Sequence, residues 1–326
     1  MKKSLILFAA LLLVGTQQML AVDSNTVEIA YSGTTATVTI ADNIAAYVSV
    51  SSGTSSHVVL TQTNDADIDG LEITYVLSGT STNGEFNMTG AYKCTVALNN
   101  VTLTNPSGAA MTITNGKRVK VKAETDTNNT LTDGKGSQKG CLYVKGHLEL
   151  RGYGTLNVTG NYAHAIKSGE YMSVKNITIN TLSSVKDGLN CNEYFMMESG
   201  TVNITNAGGD GIQSDIDNAS GTPTSATPTV DDPHNGEDTG NFYQTGGTLN
   251  IALAKASEGK LIKVAGTESH TGGTYNGTSY DTGIDDITVD KGNTQVYDLN
   301  GRQRTSQSGR GIYIIKNNKK NTKALF

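Results

Sequence analysis

The chain of 326 residues contains no tryptophan, only four prolines and only three cysteines. Hydrophobic residues make up 36% of it, whereas glycine is abundant at 37 residues. Few hydrophobic residues and many glycines favour short strands joined by turns and argue against long helices. We therefore predict an all-β protein.

The cysteines are Cys94, Cys141 and Cys191, an odd number at wide spacings and without a CxxC pair. This pattern indicates neither a disulfide framework nor a zinc site. We expect three buried free thiols.

Long apolar runs are also missing, apart from "LILFAALLLV" at residues 5–14, which follows two lysines. The run is too short to span a bilayer, and Ala21 offers a small residue for cleavage, so residues 1–21 are predicted to be a secretory signal peptide. No cysteine flanks that position, which argues against a lipoprotein anchor. We expect a monomer that is secreted or held at the cell surface, without a transmembrane segment.

Charge is distributed unevenly along the chain. Residues 22–283 carry 15 Lys or Arg against 26 acids, a balance of 15 − 26 = −11, whereas residues 284–326 carry eight against four, or +4. A body this acidic repels a phosphate backbone, so nucleic acid is excluded as the expected partner.

Internal repeats are the strongest signal for the fold. The pattern "GTLNV" at 154–158 returns as "GTVNI" at 200–204 and as "GTLNI" at 247–251. The turn segments "HAI" at 164–166, "DGL" at 187–189 and "DGI" at 210–212 recur at an interval of 23 residues, and the first two "GT" patterns lie two such intervals apart. Apolar residues alternate between these markers, which indicates strands with one buried face.

Strands in repeats this short, with no room for a crossover helix, close a core by stacking coil on coil, so we predict a parallel β-helix. An antiparallel sandwich is the alternative, but it requires no common period. We assign residues 72–283 to the β-helix, residues 22–71 to an N-terminal β cap or small β region, and residues 284–326 to a short C-terminal β domain.

One segment interrupts the period. Residues 215–241 have no apolar periodicity and carry six acids, which predicts an extruded, mobile loop. When these 27 residues are left out of the count, Ile262 follows Ile212 by one interval of 23 residues, so we expect the two residues to stack in neighbouring coils.

An acidic column follows from the stacking. Residues one period apart lie about 4.8 Å apart along the axis. His164, Asp187, Asp210 and, after the loop, Lys260 therefore share a column. Two carboxylates about 5 Å apart repel by about 3 kcal/mol at an effective dielectric of about 20, so a positive charge is expected nearby.

Two explanations of that positive charge are open. One is a bound Ca²⁺, which prefers oxygen ligands, with Asp215 and Asp217 as further ligands. The other is neutralisation by His164 and Lys260, with Asp-Gly acting only as a turn. A second acidic segment, "DADIDG" at 65–70, resembles the start of an EF-hand loop but has Val76 at the twelfth position, so we predict a turn there.

An aromatic column is the candidate binding surface. The outward neighbours of the apolar positions in successive coils are His147, Tyr171, Tyr194 and, past the loop, Phe242. Such a column offers a platform for sugar rings, or it stabilises contacts between coils. Lys167 and Lys186 are added as candidate carbohydrate-binding cations. On the next strand, Thr and Asn stack into a flat polar array that either contacts a polysaccharide or forms the solvent face of the sheet.

Three segments resemble a bacterial carbohydrate-binding β-helix family first described from a cellulolytic clostridium. They are "AYKCTVALNNVTLTNPSGAAMTITNGKRV", "NTLTDGKGSQKGCLYVKGHLELRGYGTLNVTGNYAHAIKS" and "VKDGLNCNEYFMMESGTVNITNAGGDGIQSD". The resemblance implies a right-handed, pectate-lyase-like, single-stranded parallel β-helix. It also implies bound calcium at Asp187 and Asp210 and affinity for plant-type polysaccharides, including acidic ones. The segment "VYDLNGRQRTSQSGRGIYIIKNNKK" resembles the sorting domain that Bacteroidetes use for type IX secretion, which implies contact with that machinery.

Three functions compete at this point. The first is a non-catalytic, calcium-containing polysaccharide-binding protein. The second is a calcium-dependent lyase with Lys145, Lys167 or Lys186 as the base, although Arg118 and Arg151 are the only arginines in the coils. The third is a structural surface adhesin.

Overall fold

The computed structural model describes residues 22–68 and 70–280, together with the backbone of the strands within 295–298, 303–304, 312–317 and 320–325. The described residues form a parallel β-helix of about eight turns, with a single short 3₁₀ helix at Asp42–Ile44. The predicted parallel β-helix is thus confirmed. The predicted signal peptide lies outside the described residues.

The strands have the following bounds in chain order: β1 Thr26–Ser32, β2 Thr35–Ile40, β3 Val48–Val50, β4 His57–Gln62, β5 Ile73–Ser81, β6 Glu85–Gly90, β7 Cys94–Asn105, β8 Met111–Thr114, β9 Val119–Ala123, β10 Asn128–Asp133, β11 Gly140–Val144, β12 Leu148–Gly152, β13 Thr155–Gly160, β14 His164–Ser168, β15 Met172–Lys175, β16 Thr178–Ser184, β17 Leu189–Asn192, β18 Tyr194–Met197, β19 Thr201–Ala207, β20 Ile212–Asp215, β21 Asn241–Leu253, β22 Ile262–Val264, β23 Glu268–Tyr275, β24 Thr278–Ser279, β25 Gln295–Asp298, β26 Gln303–Arg304, β27 Ile312–Asn317 and β28 Lys320–Leu325.

Each central coil contributes one strand to each of three faces. Face 1 contains β8, β11, β14, β17, β20 and β22. Face 2 contains β9, β12, β15 and β18, and face 3 contains β10, β13, β16 and β19. The long strands β7 and β21 pair with both faces 2 and 3, since their first halves stack on β9 and β18 and their second halves on β10 and β19.

The N-terminal residues join the same stack. Strand β1 pairs in parallel with β5, and β4 pairs in parallel with β6, so both sheets continue into residues 22–71. Strands β2 and β3 then pair antiparallel with β1 and β4. These antiparallel pairs close the end of the solenoid, where a parallel strand edge would otherwise stay open.

The core is a set of columns that run along the axis. Face 2 sends one side chain inward at the same position of each coil, and all are buried: Val119, Leu148, Met172, Phe195 and Phe242. The last two rings stack at 5.2 Å between centroids with planes 4° apart. Each such side chain contributes about 1.5–3 kcal/mol by leaving water, so the repeat itself stabilises the stack.

The turn between faces 2 and 3 depends on a tight approach of neighbouring coils. Gly200 has a φ of +92°, and a Cβ at this position would lie 2.4 Å from the carbonyl oxygen of Ile177. Only glycine avoids both the strained backbone and this contact. The "G-T-x-N" pattern of the sequence therefore marks a place where one coil rests directly on the next.

Face 3 presents a regular outer surface of Thr and Asn. Four asparagine side chains form a ladder in which each Nδ2 donates to the Oδ1 of the coil before it: Asn180 to Asn157 at 2.9 Å, Asn203 to Asn180 at 2.9 Å and Asn250 to Asn203 at 2.8 Å. Each internal amide thereby uses one donor and one acceptor within the protein. The predicted polar array is present, and its asparagine side chains hydrogen-bond to one another along the axis.

The three cysteines are buried and free, as predicted. Burial raises the pKa of Cys94 and of Cys191 to about 12, which makes these thiols unreactive at neutral pH. No helix among the described residues is long and apolar enough to cross a membrane. The C-terminal strands form a four-stranded antiparallel sheet in the order β26-β25-β27-β28.

Candidate functional site

The predicted aromatic column exists in three of its four members. His147, Tyr171 and Tyr194 each lie directly before or at the start of a face 2 strand, one coil apart. The rings of His147 and Tyr171 stack at 4.2 Å and 16°, and those of Tyr171 and Tyr194 at 5.0 Å and 19°.

The fourth member, Phe242, was predicted wrongly. The register pairs Tyr194 with Asn241 and Phe195 with Phe242, so the column shifts by one residue at the loop. A shift of one residue turns a strand side chain to the opposite face. Phe242 is consequently 0% exposed and belongs to the core. On face 1 the prediction obtained by leaving out the loop is confirmed, because Ile212 pairs with Ile262.

The loop at 215–241 does not extend away from the body as expected but folds back across face 2. Its two ends meet at Asp238, whose carboxylate accepts the backbone N–H of Asp217 at 2.7 Å and of Asn218 at 3.0 Å. The ring of His234, in the middle of the loop, lies 5.0 Å from that of Tyr194. Tyr194 is therefore only 6% exposed, although it was predicted to be an outward platform.

The contact between loop and body is held by a buried acid. Glu237 is 4% exposed, and its Oε2 lies 2.6 Å from Nδ1 of His234. Its Oε1 accepts the hydroxyl groups of Thr239 at 2.5 Å and of Tyr243 at 2.8 Å. Burial raises the pKa of Glu237, but these hydrogen bonds lower it more, so the carboxylate stays ionised and fixes His234 over the column.

A cavity of about 630 Å³ lies between the loop and face 2. Tyr171, Tyr194 and His234 contribute to its wall, and Ser173, Met196 and Thr245 also line it. Its charged residues are Glu149, Glu198, Asp231, Asp232 and Arg151. These five residues together carry a formal charge of 1 − 4 = −3.

Tyr194, one of the aromatic residues that line this cavity, packs against two other rings. Tyr194 lies between Tyr171 on one side and His234 on the other, so both of its faces are covered. Stacking of a sugar on the ring faces, the first interpretation of this column, is thereby blocked at Tyr194. Burial raises the pKa of Tyr171 and Tyr194, so their hydroxyl groups stay protonated and available as hydrogen-bond donors.

The two arginines of the coils are committed to acids. Arg151 places Nη1 3.2 Å from Glu198 and Nε 3.5 Å from Glu149. Arg118 places Nη2 2.5 Å from Glu72, and the pKa of Glu72 is lowered because this contact and the hydrogen bond from Thr95 outweigh the effect of burial. Neither guanidinium is therefore a free base or a free partner for an acidic sugar.

The predicted lysines lie away from the cavity. Lys167 is on β14 of face 1, where Nζ donates to Asn190 at 2.5 Å and to Asn192 at 3.1 Å, and burial lowers its pKa. Lys186 is exposed in the turn before Asp187, and Lys145 is exposed before β12. The structure thus separates Lys167 and Lys186 from the aromatic residues with which they were predicted to act.

The predicted acidic column is present, and protein donors occupy it. Asp187 Oδ1 accepts the backbone N–H of Asp210 at 2.9 Å, and Asp210 Oδ1 accepts that of Lys260 at 2.7 Å. Asp187 Oδ2 lies 2.7 Å from Asn190 Nδ2 and 3.2 Å from Nδ1 of His164. Burial raises the pKa of Asp187, but these partners lower it below its usual range.

A positive charge beside Asp210 comes from Lys263, whose Nζ lies 3.2 Å from Oδ2. The side chain of Lys260, which one of the two open explanations assigned to this role, is not the partner. Lys260 contributes its backbone N–H instead, because the turn places that group over the carboxylate. The acidic segment at 65–70 is a turn as predicted, since Asp65 Oδ1 accepts the N–H groups of Asp67 and Ile68 at 2.9 Å.

These residues do not form a calcium site as they stand. Both oxygens of Asp187 and of Asp210 have protein partners, Asp215 Oδ2 accepts Gln213 at 3.2 Å, and Asp217 Oδ1 accepts Asn192 at 2.7 Å. Across residues 22–68 and 70–280, the group whose ligand atoms converge within 4.8 Å is a different one, His147, Glu170 and Glu193. The donor set at the aspartates therefore does not fit an ion that needs six to eight oxygen ligands.

Sequence reasoning missed several residues of this site. Glu170 and Glu193 directly precede Tyr171 and Tyr194, so the spacing that gave the aromatic column contained this acidic pair as well. Glu149 on β12 and Glu198 directly after β18 lie at outward positions, which alternation also indicates. Asp232 and His234 carried no signal, because their placement depends on how the loop docks.

Comparison with known proteins decides the family. Residues 70–312 match the family described as carbohydrate-binding domain-containing proteins. The chain belongs to that family. A solved structure described as the polysaccharide lyase-like protein from C. thermocellum, a gadolinium derivative, is similar in fold with a TM-score of 0.51 at 20% identity. The likeness covers 77% of this chain and 96% of that one. No curated protein matches the chain.

Proposed function

We propose that this carbohydrate-binding protein is non-catalytic and holds a neutral polysaccharide in the cavity between face 2 and the loop at 215–241. The observation that carries this proposal is the cavity lining, which combines four carboxylates with two tyrosines. Sugar hydroxyl groups donate hydrogen bonds to carboxylates, and hydrogen bonds to charged groups contribute about 1.5–3 kcal/mol each.

The charge of the cavity selects the class of glycan. An acidic sugar brings a carboxylate into a wall that already has a formal charge of −3, with its one arginine paired to Glu149 and Glu198. Each added charge repels at close range by about 1–4 kcal/mol, depending on how much water screens it. A neutral glycan avoids that repulsion, so we favour it over the acidic polymers that the sequence resemblance also implied.

The same lining supports a non-catalytic role. A lyase needs a positioned base and a group that neutralises the uronate. Arg151 is the one Lys or Arg among the residues that line the cavity, and it is bound to two glutamates. The cavity lining therefore offers no unpaired Lys or Arg to neutralise a uronate, which supports a non-catalytic role.

Export to the cell surface is part of the proposal. Its support is the N-terminal segment at 1–21, which has the pattern of a secretory signal, and the tail, whose sequence resembles a type IX sorting domain. Fractionation of cells that express the full chain or a chain ended at residue 283 tests this step. We expect the full chain on the surface and the shortened chain in the periplasm; equal distribution would contradict sorting by the tail.

Isothermal titration with soluble neutral polysaccharides, among them a β-glucan and a galactomannan, tests the binding site. The variants Glu198→Gln and Asp232→Asn are expected to weaken binding about tenfold each, since each loses a charged acceptor. The matched control is Asn180→Ala on face 3, which is expected to bind like the wild type. Reduced binding in the control with unchanged binding in both cavity variants would move the site to face 3.

The lyase alternative has its own assay. Polygalacturonate with added calcium is followed at 235 nm, where unsaturated products absorb. We expect no increase with the purified protein. A steady increase in absorbance that is absent from a control without the protein would overturn the non-catalytic proposal.

A further inference from the structure

A histidine and two glutamates converge where face 1 turns into face 2. Nε2 of His147 lies 2.9 Å from Oε2 of Glu170 and 3.3 Å from Oε2 of Glu193. The three residues come from three successive coils, directly before or beside the starts of β12, β15 and β18. They are separate from the aspartate column, whose oxygens are already used by protein donors.

The three potential ligand atoms lie within 4.8 Å of one another, one from each residue. Glu170 Oε2 is shielded from solvent and has no hydrogen-bond partner, although the imidazole nitrogen is only 2.9 Å away. The imidazole is fixed in this direction by its stacking on Tyr171 at 4.2 Å. Glu193 Oε2 accepts the backbone N–H of Tyr171 at 3.2 Å, which holds the second carboxylate in place.

Charge balance points in the same direction. Two carboxylates approach each other at this place, and a divalent cation would neutralise both. The cation would also supply a partner for the shielded Glu170 oxygen, which has none.

We propose that His147, Glu170 and Glu193 form a binding site for a first-row divalent transition metal ion of the zinc type. One imidazole nitrogen with two carboxylate oxygens suits Zn²⁺ and its neighbours, whereas Ca²⁺ takes oxygen ligands only. Three protein ligands leave at least one coordination position open to water or to a hydroxyl group of a ligand. The ion would also tie three consecutive coils together, because each ligand comes from a different coil.

Zinc chloride is the probe that tests the site. The full chain, without an affinity tag and treated with chelator, is titrated by calorimetry, and cobalt chloride is added in a parallel experiment to follow its visible absorption. We expect one site in the wild type, with at least tenfold weaker binding and no cobalt band in Glu170→Gln and in His147→Gln. Circular dichroism of each metal-free variant verifies that the fold is intact.

The matched control is His57→Gln, because His57 pairs with Glu85 at 3.4 Å and belongs to no group of three potential metal ligands within residues 22–68 and 70–280. This control is expected to bind zinc like the wild type. Absence of zinc binding in the wild type, or equal binding in wild type, Glu170→Gln and His147→Gln, would overturn the proposal. Calcium binding that needs Glu170 and excludes zinc would overturn the assigned class of ion.

Discussion

Faces 2 and 3 are built from the same coils with the same period, yet they treat their outward polar groups differently. On face 3, Asn157, Asn180, Asn203 and Asn250 bind one another, so the surface is regular and satisfied along the axis. On face 2, acids, an arginine and aromatic rings share a cavity beneath a loop that breaks the repeat. Repetition favours self-pairing, whereas the insertion creates an enclosed volume with groups available to a ligand.

Excision of the loop should reduce glycan binding more than any other change. Replacing residues 220–236 by a short Gly-Ser turn removes Asp231, Asp232 and His234 while keeping Asn218, Glu237 and Asp238 at the loop ends. We expect binding of a neutral polysaccharide to fall more than tenfold, because one wall of the cavity is lost. Calorimetry gives the affinity, and circular dichroism gives the integrity of the fold.

A folded excision variant that binds as well as the wild type would show that the loop is not part of the binding surface. It would shift attention to the open side of face 2 or to face 3. A matched insertion in the turn between β1 and β2, at the N-terminal end of the solenoid, controls for general effects of altering a turn.

The asparagine ladder should matter for stability but not for binding. Asn180→Ala removes the hydrogen bonds to Asn157 and from Asn203, each of which contributes about 0.5–1.5 kcal/mol. We expect the free energy of unfolding to fall by about 1–2 kcal/mol in urea titrations, with glycan affinity unchanged. A loss of affinity at full stability would indicate that face 3 contacts the polysaccharide.

Low pH should affect face 2 more than face 3, because the carboxylates that line the cavity lie on face 2 and on the loop above it. Burial raises the pKa of Glu198, but the hydrogen bonds from Lys175 and Arg151 lower it below its usual range. Its ion pairs therefore stabilise the fold above the unfolded pKa of about 4.3, and this contribution is lost as the pH falls through the lower folded value.

We accordingly expect protonation of this acceptor to weaken glycan binding only when the pH falls below the usual Glu pKa of about 4.3, because the pKa of Glu198 is lowered. Affinity electrophoresis at stepped pH, with circular dichroism at each step, provides the measurement. Binding that stays constant throughout while the protein remains folded would favour the amides and hydroxyl groups of face 3, which do not titrate there.

Calcium should have the smallest effect. The oxygens of Asp187 and Asp210 are occupied by protein donors, so chelator is expected to leave the melting temperature of the wild type unchanged through this column. The measurement compares wild type and Asp187→Ala/Asp210→Ala, each with calcium and with chelator. A calcium-dependent rise in the wild type that the double variant lacks would restore the calcium site predicted from the sequence.

Much of the fold follows from spacing alone, because a solenoid repeats its contacts. The constant interval between turn signals predicted coils that stack in parallel, and it placed Asp187 beside Asp210. The inward alternation of Leu148, Met172 and Phe195 was also readable, since a half-buried strand has a period of two.

The site was less predictable than the fold, because its shape depends on the inserted loop at 215–241, which does not follow the repeat. If the inserted loop is counted one residue longer or shorter, Phe242 moves from the core side of face 2 to the solvent side. No local sequence pattern shows which of these two lengths is correct. The contact of His234 with Tyr194 depends on long-range docking of the loop. Lys263 rather than Lys260 meets Asp210 because the turn geometry, not the column position, directs the lysine side chain.

Affinity electrophoresis of the wild-type protein in gels that contain a neutral polysaccharide, polygalacturonate or no polymer tests the assigned ligand class most directly. Because the cavity carries four acids and one paired arginine, we expect retardation by at least one neutral polymer and none by polygalacturonate. Retardation by polygalacturonate alone would contradict neutral-glycan binding in the cavity on face 2.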